Sequence, residues 1–264
     1  SASIYGARAS FGVILVTTKS GKSGKTNVSY SGSARFSDAI GIPDIMDSYT
    51  FAQYFNRASA NKGGGDIFAP AVMERIKAYQ EGTLKATTVD NGAGIWQKWA
   101  NANGNTDWFE EFYDHWAPSQ EHNLSINGGT DKTQYLISGS FLDQKGLMRH
   151  GSDKFQRYTL NGKITTAVTD WFKVTYSTKW TREDFERPTY LTGSFFHNLA
   201  RKWPVHPAYD PNGFPMDEGE VEQMENGGKQ NSQKDFYTNQ LQLVFEPIKN
   251  WKINLEGSVR TTTQ

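Results

Sequence analysis

The segment from Gly21 to Thr26 has the residue types of a phosphate-binding loop, since it ends in Gly-Lys-Thr. Such a loop needs another glycine five residues before the last one, and Lys19 occupies that position. It also needs a following helix, whose N-terminus would hold the phosphate. A strand-like alternating run from Val28 to Phe36 follows instead. We therefore interpret this segment as a basic, flexible linker rather than a nucleotide site.

Neither histidines nor acidic residues are spaced for metal binding or acid–base catalysis. Asp210 and Asn212 suggest a calcium turn, but the later ligands are missing, and a plain turn is expected. Glu110 and Glu111 are adjacent, so on a helix their side chains point apart. There is no cysteine, and no Gly-x-Ser-x-Gly elbow is present. No histidine forms an HExxH motif or a close pair, so all five are expected to be structural or exposed: His115, His122, His150, His197 and His206. The sequence thus predicts no catalytic, metal or cofactor-binding residue and no enzyme.

Four tryptophans crowd one predicted loop: Trp96, Trp99, Trp108 and Trp116. Exposed indole rings can stack on sugar faces, whereas buried rings can pack a long loop against the rest of the molecule. Packing is the favoured interpretation. The same four residues are nevertheless the candidate substrate-binding side chains.

The composition excludes some classes and favours strands with two different faces. Lys+Arg and Asp+Glu number 28 each, so no net charge points to nucleic acid. The chain has 8 Trp, 12 Tyr and 16 Phe, yet its mean hydropathy is −0.66. No run approaches the roughly 18 apolar residues of a spanning helix. A membrane protein built from strands remains possible, because barrel strands have weak hydropathy signals.

Seven segments alternate apolar and polar residues with a period of two, which is the strand pattern. Strands of about ten residues, tilted near 45°, would cover about 23 Å, close to the apolar band of an outer-membrane barrel. Aromatic residues sit near the ends of these segments, as in the aromatic girdles of barrels. The seven segments are 26–36, 122–128, 133–142, 157–164, 172–180, 237–245 and 251–260.

Long and short connections alternate along the chain. The longer ones are 37–121, 143–156 and 183–236, and the joins between them are short. Outer-membrane barrels have long extracellular loops and short periplasmic turns. A soluble antiparallel sheet with one solvated face also alternates and remains the alternative. Short helices are predicted within the first long loop at 48–57, with Ser48 as N-cap, and at 70–80.

Several motifs resemble those of the SusC/RagA-type TonB-linked outer-membrane proteins. The segment Ile4–Ala9 followed by Gly12–Lys19 is similar to the end of the family's plug domain. Further similarities occur, in the expected order, at Asn105–Trp108, Ser119–Thr130, Phe155–Tyr158 and Asp210–Gly213. Phe11 departs mildly from the small or polar residues usual between the two halves of the plug motif.

The resemblance implies an all-β fold, namely part of a 22-stranded antiparallel transmembrane barrel with about seven strands in this chain. It implies the plug end at 1–19, a linker at 20–25 and barrel strands with extracellular loops at 26–264. Polar faces carrying Arg157, Lys163, Lys173, Lys179 and Arg260 would face plug and lumen.

The implied function is TonB-dependent import of an oligosaccharide or peptide across the bacterial outer membrane. The implied partners are the lipid bilayer, a SusD-like surface lipoprotein and TonB, which would bind an N-terminal box not found in this sequence. No nucleic acid and no cofactor are implied. The alternative is a soluble or surface-attached carbohydrate-binding β module that uses the loop tryptophans. An adhesion or structural barrel is a third possibility, but it would not need the plug-like segment.

Overall fold

Seven antiparallel strands form one sheet in chain order in the computed structural model, which describes residues 18–216 and 219–264. Each strand pairs with its neighbours in sequence, so the sheet is a simple meander. Of the predicted plug end, only Thr18 and Lys19 lie within the described residues. The strands are β1 (Gly24–Ser37), β2 (Ala117–Gly129), β3 (Thr133–Lys145), β4 (Lys154–Thr169), β5 (Phe172–Pro188), β6 (Lys229–Ile248) and β7 (Trp251–Thr263).

The strands are longer than the predicted ten residues, and β6 reaches 20. The long connections consequently shrink from 37–121, 143–156 and 183–236 to 38–116, 146–153 and 189–228. We call these the first, second and third loops. The sequence did not predict the ends of the strands, because both faces of the strand are polar there. The alternation of apolar and polar residues therefore stops before the strand does. Cross-strand polar pairs support them instead, such as Gln156 with Asp143 and Gln233 with Asp184, both at 2.8 Å.

One face of the sheet is apolar, and its side chains line up across the strands. A continuous register row runs from Tyr30 through Leu124, Gly139, Leu160 and Trp180 to Tyr237. Large apolar side chains on this apolar face remain accessible within the described residues; the exposed fraction is 65% for Tyr30 and 44% for Leu241. The predicted separation into an apolar and a polar face is thus confirmed by the register.

Aromatic side chains mark two levels on the apolar face. At one end, the rings of Phe172 and Phe245 stack with centroids 4.5 Å apart. At the other end, Trp180 pairs with Tyr237. Eight positions separate Phe172 from Trp180 along β5. With about 3.3 Å per residue and a tilt near 40°, the two levels lie about 20 Å apart, close to the roughly 25 Å apolar band of outer-membrane barrels.

The opposite, polar face carries hydroxyl, amide and cationic side chains in register. Ser29 and Ser125 are joined by a 2.7 Å hydrogen bond, and Asn161 donates to Ser138 at 3.2 Å. Lys163 and Lys179 lie on the same face, as the alternation predicts. The full row is Ser29, Ser125, Ser138, Asn161, Lys179, Thr238 and Arg260.

In the part of the chain that the structure describes, five α-helices lie in the first and third loops: α1 (Ser48–Asn61), α2 (Pro70–Gln80), α3 (Trp108–Phe112), α4 (Gly193–Leu199) and α5 (Glu220–Asn226). The bounds of α2 agree with the prediction, and Pro70 stands at its first turn. The N-cap of α1 is Asp47, not Ser48, since the Asp47 carboxylate accepts from Tyr49 N and Thr50 N. No helix within the described residues is long and apolar enough to cross a membrane.

The buried core lies mainly in the loops, because large side chains on the apolar face of the sheet remain exposed among the described residues. One cluster, which we call the loop core, unites all three loops; the other packs α1 against α2. The loop core contains Trp108, Phe112, Met148, Phe195, Leu199, Ala208, Val221 and Met224. The second cluster contains Ala52, Phe68, Val72, Ile76 and Val205.

Candidate functional site

Trp108 lies at the centre of the loop core and is 1% exposed. It opens α3, which Asp107 caps by accepting hydrogen bonds from Phe109 N and Glu110 N at 3.0 and 3.1 Å. The indole Nε1 donates to the carbonyl oxygen of Trp203 at 3.0 Å. Because its one polar atom is satisfied and its ring is buried, Trp108 packs the loops together and presents no surface to a ligand.

Trp99 lies beside Trp108 but is 48% exposed. Its ring stacks on His206 with centroids 4.7 Å apart and meets Trp203 edge-on. Its backbone has φ 52°, a conformation that residues other than glycine seldom adopt. Such backbone strain persists where packing holds it, and it is enriched at binding sites. Among the four tryptophans, Trp99 therefore combines a fixed ring with an accessible surface.

Lys202, in the third loop, contacts the rings of both Trp99 and Trp108. Its ammonium lies 5.7 Å from the Trp99 ring centroid and 4.7 Å from that of Trp108. It also forms an ion pair with Glu220, and both side chains are buried. Burial lowers the pKa of Lys202 to about 8. These contacts order the third loop against the two indole rings by cation–π attraction.

Trp96 and Trp116 are placed apart from this pair. Trp96 is partly buried and forms a β-bridge with Asp90. Trp116 precedes β2, is 68% exposed and has φ 60°. Among residues 18–216 and 219–264, no ring contact joins Trp96 or Trp116 to Trp99 or Trp108. Trp99 and Trp108 share His206 and Lys202 as contacts, so the structure brings two of the four candidate residues into one cluster.

A charged cluster around the buried side chain of His150 was not predicted from the sequence. Its Nε2 lies 2.9 Å from Glu111 Oε1, and its Nδ1 lies 2.8 Å from Glu225 Oε1. Glu110, next to Glu111, turns instead toward His115 at 2.9 Å, so the adjacent acids point apart as predicted. The three members of the cluster are 39 and 75 positions apart, and no local pattern in the sequence marks them.

The pKa values in this cluster favour its charged form. Burial alone would raise the pKa of Glu111, but hydrogen bonds from His150 and Tyr209 outweigh burial and lower it. Burial alone would lower the pKa of His150, but hydrogen bonds to Glu111 and Glu225 raise it. Burial, followed by the charge of Glu111, raises the pKa of Tyr209 to about 12. His150 and Glu111 thus stabilise each other as an ion pair.

A polar cleft of about 630 Å³ lies on the polar face of the sheet. Thr18 and Lys19, the described end of the predicted plug, line it together with Asn161, Lys163 and Lys179. A Cβ at Gly21 would come within 2.5 Å of the Tyr135 backbone, so the linker passes very close to β3. Hydroxyl, amide and ammonium groups face the space that Thr18 and Lys19 line.

Two motifs weighed at the outset have structural explanations. The strand β1, rather than a helix, begins at Gly24 within the phosphate-loop-like segment, which leaves no helix N-terminus for a phosphate. The carboxylate of Asp210 accepts from Asn212 N at 2.8 Å and Phe214 N at 3.0 Å, forming the expected turn.

No protein-family model matches the chain. Among curated proteins, it is 31% identical over 157 residues to the TonB-dependent receptor SusC of Bacteroides thetaiotaomicron. That alignment covers 59% of this chain and 12% of the relative. It is also 27% identical over 171 residues to the TonB-dependent receptor P3 of Formosa agariphila, covering 65% of this chain and 13% of that protein. The chain therefore spans a small part of these relatives, which are named as receptors rather than enzymes.

Solved structures of the RagAB peptide importer share the fold. The open-open state aligns with a TM-score of 0.73 at 20% identity, covering 99% of this chain and 30% of that one. The closed-closed state aligns with a TM-score of 0.70 at 19% identity, covering 98% and 30%. The seven-stranded sheet thus matches part of a larger β-barrel, as the fold prediction stated. In sequence, the chain is similar to a portion of TonB-dependent receptors such as SusC, and in fold it is similar to a portion of the RagAB peptide importer structures.

Proposed function

We propose that the full-length protein imports a nutrient oligomer, an oligosaccharide or a peptide, across the bacterial outer membrane in a TonB-dependent manner. The observation that carries this proposal is the seven-stranded sheet with an accessible apolar face, two aromatic levels about 20 Å apart and a polar opposite face. The similarity to SusC and RagAB supports it. In this assignment the apolar face contacts lipid and the polar face lines the lumen.

The plug end at 1–19 and the linker at 20–25 fit this proposal. Thr18 and Lys19 lie over the polar face, where a plug would sit. Ser23 donates to Asp131 at 2.7 Å, which fixes the linker to the short turn between β2 and β3. In this arrangement the short turns are periplasmic, and the three loops that form the buried clusters are extracellular.

A SusD-like lipoprotein and loop contacts to cargo belong to the same proposal. The solved structures with the same fold are of the RagAB peptide importer, and a lipoprotein partner would meet the extracellular loops of this protein. Of the four candidate tryptophans, Trp99 and Trp116 have the accessible rings needed to stack on a sugar or a peptide side chain. Trp108 and Trp96 would support the loops.

The proposal is tested by capturing the full-length protein from detergent-solubilised outer membranes and identifying co-purified proteins by mass spectrometry. A SusD-like lipoprotein in equal amount is the expected result. Uptake of the cargo that the neighbouring genes indicate should cease when TonB is deleted. Recovery of the protein in the soluble fraction, without such a partner, would reject the importer in favour of a carbohydrate-binding β module.

A further inference from the structure

His150 lies where the three loops meet and bonds to a different loop through each ring nitrogen. His150 itself belongs to the second loop. Its Nε2 contacts Glu111 of α3 in the first loop at 2.9 Å. Its Nδ1 contacts Glu225 of α5 in the third loop at 2.8 Å. One side chain therefore links segments that are distant in sequence and separated by strands.

The two carboxylates determine the protonation state that this geometry requires. A neutral imidazole has one N–H donor and one lone pair. With carboxylate oxygens on both sides, that lone pair would face a negative charge at less than 3 Å. The imidazolium can donate to both oxygens and is the form that satisfies the contacts. Since His150 is 6% exposed, water has little access to replace a lost bond.

We propose that doubly protonated His150 is a pH-sensitive clamp that holds the three loops together, and that its deprotonation loosens α5 from α3. This inference concerns how tightly the three loops are held together. It does not require that the protein import any particular cargo.

The charges around His150 favour loops that are held together while His150 is protonated and that loosen when it loses its proton. Glu111 and Glu225 face the ring, Tyr209 hydrogen-bonds to Glu111, and Arg149 adds a positive charge near Glu111. On deprotonation, two carboxylates would remain, with the charge of Arg149 acting on Glu111. The ring of Phe112 also packs edge-on against His150 at 5.2 Å, so the site cannot fill with water without moving α3.

The pH range follows from the directions of the two shifts. The pKa of His150 is raised above its ordinary 6.5, so its stabilisation is fully present below that pH and is lost as the pH rises through the raised value. The pKa of Glu111 is lowered below 4.5, so its stabilisation is present above that pH and is lost as the pH falls through the lowered value. The clamp is therefore closed between these limits. It opens at higher pH, when His150 loses its proton, and at lower pH, when Glu111 gains one.

The test is hydrogen–deuterium exchange of the full-length protein in detergent across this pH range, with intrinsic rates corrected. Protection of amides 108–112 and 220–226 should fall as the pH rises, by about tenfold for each unit by which folding raises the His150 pKa. His150→Gln should remove this pH step. His115→Gln is the matched control, because His115 also lies between two carboxylates, Asp38 and Glu110, but is 43% exposed; it should retain the step.

Glu225→Gln provides a second test in case the His150 variant does not fold. The Glu225 side chain is 44% exposed, so its replacement should be tolerated. Losing this carboxylate should move the step to lower pH without abolishing the fold. A wild-type protein without the step, a step that survives His150→Gln, or a step unmoved by Glu225→Gln would each overturn the clamp. None of these outcomes depends on whether cargo is imported.

Discussion

At the scale of the residue, Trp108 and Trp116 have opposite environments although they are eight positions apart. Trp108 is buried in the loop core and donates to the Trp203 carbonyl, whereas Trp116 is 68% exposed. The residue type therefore did not reveal the role. Burial came from contacts with α4 and α5, more than 80 positions further along the chain.

Trp108→Ala should destabilise the loop core by about 3–5 kcal/mol, because it removes a buried ring and leaves a cavity. It also removes the cation–π contact with Lys202. Exchange of amides 108–112 and 193–199, measured in the full-length protein, should accelerate accordingly. Trp116→Ala is the control and should change the stability by less than about 0.5 kcal/mol. Equal effects of the two substitutions would contradict this assignment of core and surface.

The contacts of His150 and Glu111 show which side-chain contacts can be predicted from the sequence and which cannot. The sequence predicted correctly that Glu110 and Glu111 diverge, because helix geometry alone decides it. It did not predict that Glu111 and Glu225 meet at one histidine, since that depends on how three loops fold over one another. Long-range polar contacts of this kind leave no periodic signal.

At the scale of the element, alternation located all seven strands but not their ends. Strands such as β5 and β6 extend past the apolar segment through polar pairs, including Arg182 with Asp235 at 2.9 Å. Proline and turn signals placed α2 correctly. The short helices α4 and α5 were not predicted, because the contacts that stabilise them come from the loop core.

Asp47→Ala should weaken the first turn of α1 by about 0.5–2 kcal/mol, because the carboxylate caps Tyr49 N and Thr50 N, both at 3.0 Å. Asp47→Asn is the matched control and should retain most of the cap. Hydrogen exchange of the amides in the first turn of α1 measures the effect of each substitution.

The same cap predicts an acid limit for α1. Burial would raise the pKa of Asp47, but the hydrogen bonds from Thr50, Gln80 and Tyr49 lower it from 3.8 to about 2. The cap is therefore fully effective above pH 3.8 and is lost as the pH falls through about 2. An Asp47→Asn protein that frays as much as Asp47→Ala would show that the cap is not what stabilises this turn.

At the scale of the whole molecule, the order of the strands and the two faces of the sheet were predictable, because both follow from a period of two and short turns. The alternation of long loops and short turns was predictable for the same reason. The compact arrangement of the three loops was not, since the buried cluster that holds them joins segments separated by strands. The membrane assignment therefore depends on the faces of the sheet, and adjacent positions on one strand can test it.

Leu241→Arg should strongly disfavour the folded protein in the outer membrane. Leu241 lies on the apolar face, four positions from Phe245 and four from Tyr237, midway between the two aromatic levels. An arginine at the bilayer midplane of a barrel costs about 2–4 kcal/mol. The neighbouring Gln240 lies on the polar face, where its amide contacts Glu256 at 2.5 Å. Gln240→Arg should be tolerated, because its cation would lie beside that carboxylate in the aqueous lumen.

The measurement is the amount of full-length protein in the outer membrane that migrates as a folded barrel in unheated gels. Leu241→Arg should reduce this fraction, whereas Gln240→Arg should leave it close to wild type. If both variants assembled equally well, the apolar face would not contact lipid, and the sheet would have to be covered by protein or water instead. The contrast between two adjacent residues is informative because successive side chains of a strand point to opposite faces, so the chain position is nearly the same and only the surroundings change.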